Sequence, residues 1–239
     1  MADVAIVTGA ASGMGKATAE LFAKNGWTVV GVDVARDALE EMASRLPDRL
    51  VPAVADVTDL AAVDRAARVA GDAGEVRACV NAAGVFPPTS LQDYDVERYR
   101  RIFDINVLGI VNVTAAAAPL IRQAGGGAIV NFASVDAFEA CPDQLLYSAS
   151  KAAVVSLTKS TALALAPSGI TVNSVAPGWV DTPGNRATGR MIGVEASIPV
   201  GRVAAPEEIA DVVWYLSGER RAPYLTGETI VVSGGLVMR

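Results

Sequence analysis

The stretch Val4-Ala5-Ile6-Val7-Thr8-Gly9-Ala10-Ala11-Ser12-Gly13-Met14-Gly15-Lys16 decides the fold. Its first residues form an unbroken apolar run rich in β-branched side chains. Such a run predicts a strand, Val4–Val7, covered on both faces. Glycines 9, 13 and 15 then mark a tight turn, and a helical pattern follows over Gly15–Asn25. A strand, a glycine-rich turn and a helix make a cradle for a pyrophosphate. Glycine lets the backbone approach the phosphates, and the helix start offers free N–H groups and partial positive charge. Gly9, Ser12, Gly13, Met14 and Gly15 are therefore candidate cofactor contacts. Taken alone, the glycines are also compatible with a plain tight turn.

The same alternation continues outward. Further strands are predicted at Thr28–Val32, Leu50–Ala55, Val76–Val80, Ala128–Phe132, Ile170–Val175 and Thr229–Val232. Helices are predicted at Arg36–Arg45, Asp59–Ala70, Val96–Ile121, Tyr147–Ala166 and Pro206–Ser217. Pro206 followed by Glu207 and Glu208 suits the positive end of a helix dipole. Strands alternating with helices predict an α/β fold: a Rossmann-type doubly wound parallel sheet of about seven strands, flanked by helices on both faces. No linker or composition shift divides residues 1–239, so a single dinucleotide-binding domain is expected. The weakly patterned stretch Asp181–Ala205 is long for a compact domain and is expected to be a substrate lid.

Composition narrows the chemistry. The 239 residues contain no histidine, which excludes Ser-His and Cys-His catalysis and every His-ligated metal site. No metal is expected. Cys79 and Cys141 are the only cysteines and form no CxxC; a reducing, cytoplasmic setting is expected. Net charge is -6 without a run of like charges, so no nucleic-acid footprint is expected. The acidic, short start predicts no signal peptide. The uncharged stretches Ile105–Ile121 and Ser160–Val180 are broken by Asn, Pro and Gly and read as buried elements, not membrane spans.

Two further constellations carry function. Asp33 ends the second strand 18 residues after Gly15. A carboxylate there can accept both adenosine ribose hydroxyls of NAD and repel the 2′-phosphate of NADP; it can also serve as a strand-end cap. Arg36 lies close by in sequence and pulls the other way. Tyr147 and Lys151 sit four apart, on one face of a helix. A fixed ammonium beside a phenol stabilises the phenolate, so the Tyr147 pKa is expected to fall toward the working range. That makes Tyr147 a candidate acid/base at a substrate oxygen. Ser134, at the end of the fifth strand, can donate to the same oxygen or act as a cap.

On these residues the chain resembles the short-chain dehydrogenase/reductase family over essentially its whole length. The ordered motifs are Thr8-Gly9…Gly13-Met14-Gly15, Asp56-Val57, Asn81-Ala82-Ala83-Gly84, Asn106, Ser134, Tyr147-Ser-Ala-Ser-Lys151 and Pro177-Gly178. The resemblance implies that Tyr147 is the general acid/base. It implies that Lys151 lowers the Tyr147 pKa and bonds the nicotinamide ribose, and that Ser134 polarises the carbonyl. Asn106 would hold a water linking Lys151 to solvent. Asp56 and Val57 would lie by the adenine. Asn81, Ala82 and Gly84 would lie by its ribose and steady the sheet. Pro177, Gly178, Val180 and Thr182 would border the nicotinamide. The family often ends its last strand in Val-Asp-Gly-Gly; Val232-Ser233-Gly234-Gly235 departs from that.

The expected function is an NAD(H)-dependent oxidoreductase moving a hydride between nicotinamide and a small secondary alcohol or ketone, of the hydroxy-ketone, polyol or cyclic-diol class. Its substrate pocket is expected to draw on Ser134, Asp136, Phe138, Gln144, Tyr147 and Trp179, with Cys141 and Phe86 nearby. Arg186 and Arg190 of the lid can bind an anionic group or simply meet solvent. The alternatives are a 3-oxoacyl thioester reductase and a catalytically idle dinucleotide-binding subunit. The resemblance also implies a homotetramer built on the helices around Val96–Ile121 and Tyr147–Ala166.

Overall fold

In the computed structural model, which describes residues 2–218 and 222–239, seven parallel strands form one sheet in the order β3-β2-β1-β4-β5-β6-β7. They are β1 (Asp3–Thr8), β2 (Thr28–Asp33), β3 (Leu50–Val54), β4 (Glu75–Asn81), β5 (Gly127–Phe132), β6 (Ile170–Pro177) and β7 (Thr229–Val232). The helices are α1 (Gly13–Lys24), α2 (Arg36–Arg45), α3 (Leu60–Ala73), α4 (Val96–Phe103), α5 (Gly109–Gln123), α6 (Leu145–Leu165), α7 (Pro183–Ala187) and α8 (Pro206–Ser217). The doubly wound architecture expected from the sequence is the one observed.

The unbroken apolar runs have a simple cause. Side chains alternate across a strand, and both faces of this sheet are covered. Ala5 and Val7 of β1 enter one core with Phe22 of α1, Leu39 of α2 and Ile209 of α8. Val4 and Ile6 enter the other core with Val63 of α3, Val113 of α5 and Ala162 of α6. Phe22, Trp27 and Trp214 meet edge to face, with ring centroids 4.8–5.7 Å apart. Cys79 belongs to the second core, where burial pushes its thiol up to about 12. Both cysteines are free thiols.

The expected helix over Val96–Ile121 is interrupted. A π turn, Asp104–Leu108, joins α4 to α5 and carries Asn106. The joined helix is long and apolar enough to cross a membrane, but half of its most apolar window is buried in the fold, and α5 packs on β4 and α3. The stretch 181–205 contains α7 and the 3-10 turn Val194–Ser197. At its far end Glu208 accepts the Ala205 N–H at 2.8 Å and the two terminal guanidinium nitrogens of Arg202, so the acidic start of α8 is realised as a helix cap.

The chain winds to one side of β1 through β2 and β3, then returns to β4 on the other side. That reversal opens a crevice at the carboxyl ends of the strands.

Candidate active site

A groove of about 610 Å³ crosses the carboxyl ends of β1, β2 and β4. Gly9 shows why the turn needs glycine. Its φ is +66°, and a Cβ there would lie 2.9 Å from the Ala82 carbonyl oxygen. Gly15 is tighter: a Cβ would lie 2.2 Å from the Gly9 oxygen. The Thr8 hydroxyl accepts the N–H groups of Ala82 and Ala83 at 3.1 Å, tying the end of β1 to the end of β4. Ser12 caps α1 without a side-chain bond, leaving the helix start directed at the groove.

Asp33 lines this groove and performs the capping task read from the sequence. Its Oδ2 accepts the Ala11 N–H at 3.0 Å, and its Oδ1 accepts the Ala35 N–H at 3.0 Å. Each oxygen keeps a lone pair for a further donor. Arg36 does not line the groove; it pairs with Glu40 at 3.3 Å along α2. Asp56 lines the groove while its Oδ1 accepts the backbone and hydroxyl of Thr58, both at 2.8 Å. Val57, Ala82 and Gly84 line it as well.

The groove runs into a second chamber of about 390 Å³, and Met14, Ala82, Gly84, Phe86 and Thr182 wall both. The chamber holds Ser134, Asp136, Gln144, Tyr147, Lys151, Pro177, Gly178 and Trp179, which the sequence placed at the reaction centre. Ser134 follows β5 and starts the 3-10 turn Val135–Ala137, its Oγ accepting the Asp136 N–H at 3.1 Å. It is therefore a cap and a site residue together. Thr89, overlooked in the sequence, pins the start of α6: its hydroxyl accepts the Leu146 N–H at 3.0 Å, and its carbonyl the Leu145 N–H. This fixes Tyr147 two residues further on.

The electrostatics differ from the expectation. Burial pushes the Tyr147 hydroxyl above its ordinary range; a Ser134 hydrogen bond pulls it down, Asp136 pushes it up and Arg190 pulls it down. Lys151 is not among these influences. Its Nζ donates to the Phe132 carbonyl at 2.7 Å and lies 5.6 Å from the centre of the Tyr147 ring. Burial alone pushes the ammonium down to about 8. Desolvation dominates both groups, so the Tyr147 hydroxyl sits high, not low.

Three expected contacts take different positions, and a fourth residue, Asn106, is fixed by its own hydrogen bonds. Asn81 does not line either cavity; its Nδ2 donates to Thr114 Oγ1 at 3.2 Å and Asn131 Oδ1 at 2.8 Å, in a buried ladder that steadies the sheet. Val180 is fully buried in the core beside α8. Phe138 lies outside the chamber, because the 3-10 turn before it carries its ring under the Arg239 guanidinium at 4.0 Å. Asn106 stands behind Gly84 with both amide hydrogens taken, by Val85 O at 2.9 Å and Ser150 Oγ at 3.0 Å. Any water it holds must rest on an oxygen.

The structure adds Leu236 and Val237, which wall the chamber from beyond β7. Ser233 folds this tail inward, as its Oγ donates to the Val237 carbonyl at 3.0 Å and accepts its N–H at 3.1 Å. Arg186 is bound to Asp181 at 2.5 and 2.6 Å and does not reach the chamber; Arg190 does.

Comparison with known proteins gives a consistent answer. A family model described as enoyl-(acyl carrier protein) reductase matches residues 9–237. The 3-oxoacyl-[acyl-carrier-protein] reductase FabG of Thermotoga maritima is 36% identical, covering 98% of both chains. The cis-4-hydroxycyclohexanecarboxylate dehydrogenase of Sinomonas cyclohexanicum is 39% identical, covering 97% of this chain and 95% of its own. A solved short chain dehydrogenase/reductase family protein superposes with TM-score 0.86 at 38% identity, covering 97% and 95% of the two chains. A short-chain type dehydrogenase/reductase from Mycobacterium marinum superposes with TM-score 0.92 at 34% identity, covering 99% and 96%.

Proposed function

This chain belongs to the short-chain dehydrogenase/reductase family, and from that premise we propose that it is an NAD(H)-dependent oxidoreductase interconverting a small secondary alcohol and its ketone. One observation carries the reading: Tyr147 and Ser134 face a chamber continuous with a glycine-walled groove that ends at Asp33. The groove fits a dinucleotide: glycine at 9 and 15 lets the turn pack against the Ala82 and Gly9 backbone, where a Cβ would clash, and so leaves the start of α1 open to phosphates. Asp33, with Arg36 turned away to Glu40, favours the two free ribose hydroxyls of NAD over the 2′-phosphate of NADP.

Gly9, Ser12, Gly13, Met14 and Gly15 would hold the pyrophosphate, Asp33 the adenosine ribose, and Asp56, Val57, Ala82 and Gly84 the adenosine surroundings. Pro177, Gly178 and Thr182 would border the nicotinamide, with Lys151 near its ribose. Bound there, the cofactor supplies the hydride acceptor or donor. The protein supplies position and the proton. Ser134 donates a hydrogen bond to the substrate oxygen. Tyr147 takes the alcohol proton in oxidation and returns it in reduction. Lys151, anchored on Phe132, places a positive charge beside them. Asn106 positions Val85 and Ser150, and Ser150 in turn donates to the Tyr147 carbonyl at 2.7 Å.

The name of the Sinomonas relative supports a small cyclic alcohol. The name of the Thermotoga relative supports a second reading, reduction of a 3-oxoacyl thioester; Asp33 weighs against the NADPH such a reaction usually draws on. Intact Ser134, Tyr147 and Lys151 weigh against an idle subunit. Included in the proposal are a cytoplasmic location, a small-molecule substrate with no nucleic-acid or membrane partner, and a homotetramer. Tyr99, Leu108, Val111 and Leu163, exposed on α4, the π turn, α5 and α6, support that assembly.

The test mixes the protein with NAD⁺ and a panel of secondary alcohols and follows reduced cofactor by absorbance, with NADP⁺ and acetoacetyl thioester reduction in parallel. Tyr147→Phe is expected to bind NADH as wild type does while losing about a thousandfold in kcat, the scale of a lost acid/base. Substantial turnover by that variant would refute the assignment.

A further inference from the structure

We infer that the substrate of this site carries a carboxylate, received inside the chamber by Arg190 with the Gln144 amide. This deepens the proposed reading and rests on its placement of the substrate beside Tyr147.

The lid's two arginines have opposite fates. Arg186 is spent on Asp181 through two short hydrogen bonds. Arg190, beyond the end of α7, is half-buried and walls the chamber that holds Tyr147. Among the described residues no carboxylate lies within 4 Å of its guanidinium. Its polar neighbour is the Cys141 sulfur at 3.5 Å, a weak acceptor. The Trp179 ring lies 5.4 Å from its Cζ and supports the cation while leaving donors for a ligand. A guanidinium fork matches a carboxylate with paired hydrogen bonds, and a partly desolvated cation gains most from such a partner.

Gln144 supplies an independent sign. It is 1% exposed and walls the same chamber, yet its Oε1 has no hydrogen-bond partner. An orphaned buried amide costs stability unless a ligand completes it. The torsion that turns the amide is broad and two-fold, so the same space can present its N–H₂ to a carboxylate oxygen. Asp136 shares the chamber, and burial holds its carboxyl above the usual range while Arg190 opposes the rise. It does not neutralise Arg190 by contact. Beside a bound carboxylate it would be driven toward its protonated form and become a donor. A chamber of about 390 Å³ suits a compact ring or short chain bearing one hydroxyl and one carboxylate.

The test is a calorimetric titration of the full chain with cyclohexanecarboxylate and with cyclohexanecarboxamide, its uncharged match, each with and without NADH. Neither compound has an alcohol to oxidise. The acid is expected to bind about tenfold tighter or better. Arg190→Met is expected to bring that ratio near one, Arg190→Lys to restore part of it, and Gln144→Leu to reduce it severalfold. Arg186→Met, on the guanidinium already paired with Asp181, should leave it within about twofold. Equal binding of acid and amide by wild type, or a ratio that Arg190→Met does not move, overturns the inference. Turnover separates this inference from the reading beneath it. An Arg190-dependent acid preference without cofactor reduction by short hydroxy acids keeps the carboxylate site and removes the oxidoreductase. Oxidation of neutral alcohols without acid preference does the reverse.

Discussion

Lys151 Nζ donates to the main-chain carbonyl of Phe132 at 2.7 Å, so the ammonium is anchored to the end of β5 and not to the Tyr147 hydroxyl. Burial pushes it down to about 8 from an ordinary 10.5. The fold therefore bears a cost below pH 8, where folded and unfolded chains both carry the proton. That cost recedes as pH climbs from 8 to 10.5, because only the unfolded chain still binds it. The shift corresponds to roughly 3 kcal/mol, offset by the loss of a charged hydrogen bond worth about 2. Lys151→Met is accordingly expected to be inactive yet about 1 kcal/mol more stable at pH 7, with the advantage gone by about pH 9 and reversed toward pH 10.5, where the burial cost has vanished and the lost hydrogen bond remains. Denaturant titrations at pH 7, 9 and 10.5 check this; a variant destabilised at pH 7 would contradict it.

The Tyr147 hydroxyl lies between two opposed charges, Asp136 raising its proton affinity and Arg190 lowering it. Alcohol oxidation needs the phenolate, so its rate should rise with pH through the alkaline range. Removing the Asp136 charge lowers the affinity and should move the rising limb to lower pH in Asp136→Asn. Removing the Arg190 charge should move it to higher pH in Arg190→Met. The pH profile of kcat/KM with a neutral alcohol distinguishes this from damage to the pocket, which would scale the curve without displacing it. Equal displacement in the same direction would sink the account.

How far the sequence reaches depends on how local the cause is. The glycine turn and the double-faced strands are local, and α2 and α8 take the predicted bounds Arg36–Arg45 and Pro206–Ser217. The π turn at Asn106 is not local. Apolar periodicity continues through it, and only the bonds from Asn106 to Val85 and Ser150 reveal why the helix widens there. The position of Phe138 between Ser134 and Tyr147 predicts a chamber wall, but the preceding 3-10 turn rotates it onto Arg239. Arg186 and Arg190 share a helical spacing, yet α7 ends at Ala187 and divides them, sending one to Asp181 and one to the chamber. The four-residue spacing conveys the proximity of Lys151 to Tyr147 but not the desolvation that raises the Tyr147 proton affinity.

Asp33 holds the Ala11 and Ala35 N–H groups at 3.0 Å while facing the groove, so a structural role and the proposed cofactor choice meet in one carboxylate. Asp33→Ala should lower stability by about 1–2 kcal/mol and cut the NAD over NADP preference in kcat/KM by about tenfold or more. Asp33→Asn keeps one acceptor oxygen and should recover part of the stability but not the exclusion of the 2′-phosphate. Paired thermal melts and kinetics with both cofactors read the two effects separately. An unchanged cofactor ratio in Asp33→Ala would assign discrimination to another group.

Ser233 stands where relatives of the family often carry aspartate, and its hydroxyl bonds both the N–H and the carbonyl of Val237. Those two bonds fold Leu236 and Val237 into the chamber wall. Ser233→Ala leaves the two Val237 groups to water and frees the tail, while Ser134 and Tyr147 keep their own supports on β5 and α6. Binding should therefore suffer more than chemistry. KM for the alcohol is expected to rise about three- to tenfold with a smaller fall in kcat, the pattern of lost uniform binding. Deletion of residues 236–239 should reproduce the rise, and combining it with Ser233→Ala should add nothing, since both remove the same wall. Steady-state kinetics on the two variants and their combination provide the measurement. A Ser233→Ala enzyme with wild-type KM, or one whose defect is additive with the deletion, would show that the two Val237 bonds do not hold the chamber wall.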